Sequence, residues 1–453
     1  MSNLVIRGAL GLLTGLPGEA ARATGDIRVR DGRIAALGAV PPEPGDRVID
    51  ADGCVVMPGL VSTHHHLFQS VLKAVPAGID AGLETWLRLV PYRLWNRLDA
   101  DALTVAAEIG LAELLLSGCT TVCDHHYLFS DTYRFDPTEI LFEAAARFGM
   151  RLTLARGGGT LSRRYDTPEI VPTPTEPLDV MLERVRDLAD RHHDPAPDAM
   201  TRVALAPSTP TWACTPDELR AMAVAGRDMG LLLHSHLSET GTYVDYTRAT
   251  YGLRPVQFAA EHGWTGRDVF FAHLVHLDAS EVAILAETGT GMAHCPQSNC
   301  RLGSGIAPAD ALDRIGGRVS LGVDGAASNE AADMVSEMHC AWLAHRSVKG
   351  AGALRTDDVV RWATRGGADV LNLPALGTLE VGQAADLAIF DLTHPRYAGL
   401  HDPLVGPVAC AGAAQPRHVF VAGRPVVVDG AVPGLDLPAL AARARSVVRR
   451  IAD

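Results

Sequence analysis

His64 and His66 stand two residues apart at the end of the apolar run Val55–Val61, which reads as a buried strand broken by Pro58-Gly59. Side chains alternate along a strand, so these two imidazoles leave on one side and His65 on the other. Two imidazoles on one face either grip a divalent metal or end a polar strand with local hydrogen bonds. Later strand ends bear on the choice: His236 closes Leu231–His236, His273 closes Val269–His273 and Asp324 closes Val319–Asp324. Four imidazoles and one carboxylate converging on a point suit zinc first, with iron or manganese as alternatives. Glu239, three residues beyond His236, is placed to take a proton from a metal-activated water and hand it to a substrate ring nitrogen. His294, ending the run Met292-Ala293-His294, could hydrogen-bond the attacking water or the product oxygen. His126 and His234, beside strand ends, read as structural, and Gly157-Gly158-Gly159 as a tight turn.

These groups need a frame that gathers strand ends. Eight strand-like segments alternate with helix-like ones: Leu60–His66, Cys119–His125, Arg151–Gly157, Arg202–Ser208, Leu231–His236, Val269–His273, Gly291–Pro296 and Val319–Asp324. Amphipathic helices are expected over Ala102–Ser117, Thr138–Phe148, Leu178–His192 and Pro216–Met229. The pattern predicts an α/β fold, a closed (β/α)8 TIM-type barrel whose active site lies at the C-terminal strand ends. Short β-branched runs before residue 58 and again after residue 373 have too few strands for separate cores, so both chain ends should join as one small β-sandwich domain. The expected division is 1–58 for its first part, 59–372 for the barrel, and 373–453 for its second part with a terminal helix. Asp31-Gly32 marks a hairpin, and the stretch 74–98, rich in Pro, Trp and Tyr, reads as a lid over the first strand.

The chain of 453 residues carries 53 acidic against 40 basic residues, spread without long runs, which disfavours nucleic-acid and anionic-membrane partners. No apolar run approaches a membrane span, and the start lacks a secretory pattern, so cytoplasmic residence is expected. Eight scattered cysteines without a C-x-x-C pair read as small buried apolar groups and imply neither disulfides nor a thiolate metal site.

With these residues in hand, the chain resembles the amidohydrolase superfamily, in its branch of mononuclear-metal deaminases acting on aminated heterocycles. The resemblance rests on Pro58-Gly59-Leu60-Val61 with Thr63–His66, on His236 to Glu239, on Ala272-His273, on Ala293–Asn299 with Arg301–Gly305, and on Gly322–Asn329. It implies His64, His66, His236 and Asp324 as ligands of one divalent metal, and His273 as a ligand or hydrogen-bonding partner. It further implies Glu239 as proton shuttle and Asp324 as helper in protonating departing ammonia. A second metal is not expected, because Ala204-Leu205-Ala206-Pro207 offers no lysine at the fourth strand. The implied partner is a small heterocycle: isoxanthopterin first, an 8-oxoguanine- or guanine-type purine next, a triazine losing chloride or amine as runner-up. A homo-oligomer is compatible with the resemblance, and a non-catalytic scaffold is the rival from another class. Gln69, Trp86 and Tyr92 are expected to hold the substrate ring, and Arg93 or Arg156 to donate to a carbonyl at its far end.

Overall fold

The computed structural model describes residues 3–131, 133–162, 173–410, 412 and 416–452. Its centre is a parallel sheet of eight strands, taken in chain order: β1 (Leu60–His65), β2 (Cys119–His126), β3 (Arg151–Arg156), β4 (Thr201–Leu205), β5 (Leu232–Leu237), β6 (Val269–His273), β7 (Gly291–His294) and β8 (Arg318–Leu321). Each strand pairs with its sequence neighbours in parallel register. Just past β8 the ring closes: Asp324 N donates to His64 O at 3.0 Å, and Thr63 Oγ1 to Leu321 O at 3.0 Å. All eight strands lie where hydrophobic runs bounded by turn residues place them. The helices observed at Ala100–Leu116, Pro137–Phe148, Leu178–His192 and Pro216–Asp228 likewise follow from apolar periodicity, and the second and fourth are N-capped by Asp136 and Thr215.

Both chain ends meet in a six-stranded sheet, in which Cys54–Pro58 pairs antiparallel with Leu387–Asp391, itself paired with Pro416–Val421. A second, four-stranded sheet holds Leu4–Arg7, Asp26–Arg30, Arg33–Gly38 and Arg47–Asp50. Its hairpin turns at Asp31 and Gly32, whose φ values of 49° and 77° are the left-handed pair that an Asp-Gly turn accommodates. The run that reads as one broken strand is therefore two strands of different sheets, and Gly59 is the pivot: a Cβ there would lie 2.2 Å from Thr120 Oγ1. A buried ion pair fastens the sheets to the barrel floor, Arg151 at the start of β3 gripping both oxygens of Asp386 at 2.9 Å.

Between β1 and the first long helix, short turns of helix at Pro76–Gly78, Leu83–Leu89 and Pro91–Leu94 cover the strand ends. Trp86 anchors this cover, buried and donating its indole N–H to Ala327 O at 3.1 Å. Among the described residues no helix is long and apolar enough to cross a membrane. The cysteine expectation holds at Cys54, Cys119, Cys123, Cys214 and Cys295, which are buried; Cys300 is exposed, and Cys340 and Cys410 are half-buried.

Candidate active site

Strand alternation and parallel register bring the chemistry together at the C-terminal rim. His66 Nε2 lies 3.3 Å from Asp324 Oδ1 and 3.2 Å from His236 Nε2, and His64 Nε2 lies 3.4 Å from the same carboxylate oxygen. The protons of these rings follow from their outer partners. His66 Nδ1 faces His125 O and His236 Nδ1 faces Ser208 O, each at 2.7 Å. A carbonyl accepts only, so both rings carry their proton on Nδ1 and a lone pair on Nε2. His234 Nδ1 donates to Phe270 O at 3.1 Å, which makes His234 Nε2 an acceptor for His64 Nδ1–H at 2.9 Å. His64 Nε2 is then a third lone pair, buried without a hydrogen-bond partner.

Three imidazole lone pairs and a carboxylate oxygen within a few Å repel one another unless a cation sits among them. Protons are poor candidates, since burial pushes the His64, His66 and His236 rings below the ordinary imidazole range. The donor set therefore fits a divalent metal with nitrogen and carboxylate ligands. His64, His66 and Asp324 offer ligand atoms within 4.8 Å of one another, as do His64, His125 and His236. Burial alone would raise the Asp324 carboxyl, but the adjoining imidazoles of His64, His273 and His66 hold it well below the usual carboxylate range. Its oxygens are fixed by Ser298 Oγ at 2.6 Å, Ser328 Oγ at 3.0 Å and the Gly325 N–H at 2.6 Å.

Beside this cluster, Glu239 Oε2 lies 3.6 Å from His273 Nε2. His273 Nδ1 donates to Asn299 Oδ1 at 3.0 Å, leaving Nε2 as an acceptor toward the cavity. Burial pushes the Glu239 carboxyl up to about 7 from an ordinary 4.5, with Asp324 adding to the rise and His273 opposing it. Ser238, His273 and Asp324 hold left-handed backbone, φ 52°, 73° and 60°, which costs on the order of 1–3 kcal/mol each for residues with a Cβ. Strain is thus concentrated where the strands hand over their polar side chains.

The cavity over the cluster is walled by His66, His236, His273, Glu239 and Asp324 below and by Gln69, Trp86 and Tyr92 on the side of the cover. Gln69 is buried with Oε1 unpartnered, and Gly325 makes room for it, since a Cβ there would lie 2.0 Å from Oε1. Three expected residues stand elsewhere. Arg156 grips Glu176 through both nitrogens, at 2.6 and 2.9 Å, and lies 3.9 Å over the Phe129 ring; burial demands that a guanidinium be neutralised, and Glu176 does so. Arg93 is exposed on Pro91–Leu94 and outside the cavity wall. His294, also outside that wall, faces His345 Nε2 at 3.2 Å through its Nε2. Conversely, His234, which the sequence reads as structural, and His125, which it does not single out, support the cluster directly. His125 stacks on His236 with ring centres 4.8 Å apart, and His234 sets the His64 tautomer. The spacing His234-x-His236 repeats that of His64-x-His66 and is the signal that could have found it.

The chain is similar to known proteins over nearly its whole length. The amidohydrolase family model matches residues 55–426. The chain is 47% identical to an isoxanthopterin deaminase from an unknown prokaryotic organism, over 99% of this chain and 97% of that one. It is 39% identical to the 8-oxoguanine deaminase of Pseudomonas aeruginosa, over 98% of each. Among solved structures, an atrazine chlorohydrolase from Arthrobacter aurescens TC1 complexed with zinc is similar with a TM-score of 0.90 at 29% identity, covering 98% of this chain and 100% of that one. The chain belongs to the amidohydrolase family, and it is a hydrolytic enzyme of that family.

Proposed function

We propose that the protein is a hydrolytic deaminase of a bicyclic aminoheterocycle, with isoxanthopterin as the preferred substrate. The overall change is an exchange at one ring carbon: water adds, the exocyclic amine leaves as ammonia, and a ring carbonyl remains. The observation that carries the reading is a carboxyl poised near neutrality, Glu239, beside a nest of imidazole lone pairs that calls for a cation. The 47% identical relative supports the substrate.

His64, His66, His236 and Asp324 are the residues we assign to one divalent metal, zinc by donor chemistry, which when bound supplies an acidified water near neutral pH. Glu239 then does the proton work. With its acid strength close to neutrality it accepts a proton from the attacking water and delivers it to the ring nitrogen beside the reacting carbon. His273, its tautomer fixed by Asn299, offers Nε2 as an acceptor that orients the attacking water's O–H. Asp324, held as carboxylate by its neighbours, takes up a proton and passes it to the departing amine. Gln69, whose amide both donates and accepts, pairs with the carbonyl and N–H edge of the pyrimidine ring, while Trp86 and Tyr92 wall its faces.

The test is ammonia release from isoxanthopterin, 8-oxoguanine and a chlorotriazine by the purified, metal-loaded protein. The highest kcat/KM is expected for isoxanthopterin; a value for 8-oxoguanine equal or greater overturns the assignment.

A further inference from the structure

Cys300 and Cys340 depart together from the pattern of buried, inert cysteines. Cys300 is exposed on the short helix Pro296–Arg301, Cys340 is half-buried on Met334–Lys349, and their sulfurs lie 4.0 Å apart with the Cys340 S–H directed at Cys300. That bond holds the Cys300 thiol down to about 7, whereas burial pushes Cys54, Cys119 and Cys214 up to about 12. An accessible, readily ionised thiol next to a second thiol is the arrangement of a peroxide-sensitive pair.

The helix bearing Cys300 is also the one that steadies the active site. Ser298 donates to Asp324 and Asn299 fixes His273. Arg301 holds the cover through Gly78 O at 3.0 Å and Glu330 at 3.0 Å. The facing helix is tied to it through Glu337, which accepts from Gln297 N at 3.0 Å and Nε2 at 2.6 Å.

We propose that Cys300 and Cys340 are an oxidisable dithiol, and that hydrogen peroxide converts them to a disulfide that reversibly slows the enzyme. The Cys300 thiolate attacks one peroxide oxygen, the O–O bond breaks, and, with a proton, one water leaves a sulfenic acid on Cys300. The Cys340 sulfur then attacks that sulfur, the S–O bond breaks, and a second water leaves. Two thiols and one peroxide thus give one disulfide and two waters. Bond formation draws the sulfurs from 4.0 Å to about 2.05 Å and so pulls on the helix that carries Ser298 and Asn299. Displacements on the order of 1 Å at such supports cost up to about 100-fold in rate.

The experiment treats reduced, metal-loaded, full-length protein with hydrogen peroxide and follows three readouts: titratable thiols, the mass of linked peptides, and ammonia release from the best substrate found. The first two do not depend on the deaminase reading, so failure of that reading leaves them interpretable. Expected are the loss of two thiols, a Cys300–Cys340 peptide lighter by two hydrogens, and a several-fold fall in turnover that dithiothreitol restores. Cys300→Ser keeps full turnover in reductant and shows no response to peroxide, and Cys340→Ser leaves a sulfenic acid on Cys300 that a 1,3-dione traps. No bridge, over-oxidation of Cys300 with Cys340 still free, or a bridge that leaves turnover unchanged each overturns the proposal.

Discussion

Glu239→Gln separates the role of this carboxyl from its burial. A carboxyl held at about 7 instead of 4.5 loses roughly 3 kcal/mol of folding free energy once ionised. The sign follows from proton counts: between about pH 4.5 and 7 the unfolded chain has released this proton and the folded chain has kept it. Stability therefore falls as pH rises through that window, and the penalty is complete above it. Glutamine preserves the shape and never ionises, so the variant gains stability relative to the parent on going from pH 5 to pH 8. The gain approaches the same ~3 kcal/mol, and titrating groups that do not interact with Glu239 cancel in the difference. Chelator-treated protein is the right sample, because a bound cation would favour the ionised carboxyl. In metal-loaded protein the same variant keeps its metal while kcat falls by about 10²-fold or more, the usual consequence of losing a general acid–base group. Urea unfolding at the two pH values and steady-state kinetics check both halves. An unchanged kcat, or a variant-minus-parent stability difference that stays flat from pH 5 to pH 8, would refute the reasoning.

Three further substitutions probe the frame around that group. His236→Ala removes one of the converging lone pairs and should abolish most bound metal, measured by elemental analysis, together with turnover. His234→Ala leaves the cluster intact but frees the His64 tautomer; metal affinity should drop about 10- to 100-fold, read by competition with a chromogenic chelator. Asp386→Asn strands the buried Arg151 guanidinium at the barrel floor, and urea unfolding should show a loss of about 3–5 kcal/mol with kcat of the remaining folded protein unchanged.

Where the sequence is legible, it is because periodicity constrains it. Eight short apolar runs bounded by turn residues read as buried strands, and alternation then decides which side chain of each terminal pair enters the barrel mouth, as for His64 and His66 against His65. The same rule applied to His234 and His236 would have put both on one face. Reading His234 as incidental passed over a pair whose spacing matches the first. Gly59 illustrates a different limit. Its neighbours read as a single interrupted strand, and only the approach of Thr120, sixty residues on, shows that the chain there leaves one sheet for another.

Charge pairing is the least legible layer, because it depends on which loop returns to a strand end. Arg156 sits at the end of β3 as expected, where a free guanidinium would face substrate. Glu176, at the threshold of the helix Leu178–His192, arrives from twenty residues downstream and takes both of its terminal nitrogens. Once paired and stacked on Phe129, that guanidinium has little left to offer a ligand, since a ligand would have to break a buried two-pronged ion pair to reach it. If the substrate is the bicycle proposed above, recognition of its second ring falls to the uncharged part of the wall, Ser208, Thr209, Trp212 and the backbone of Gly158 and Gly159. Among the described residues that wall carries no Lys or Arg, so it selects by shape and by hydrogen bonds from fixed backbone, which suits a planar, neutral bicycle.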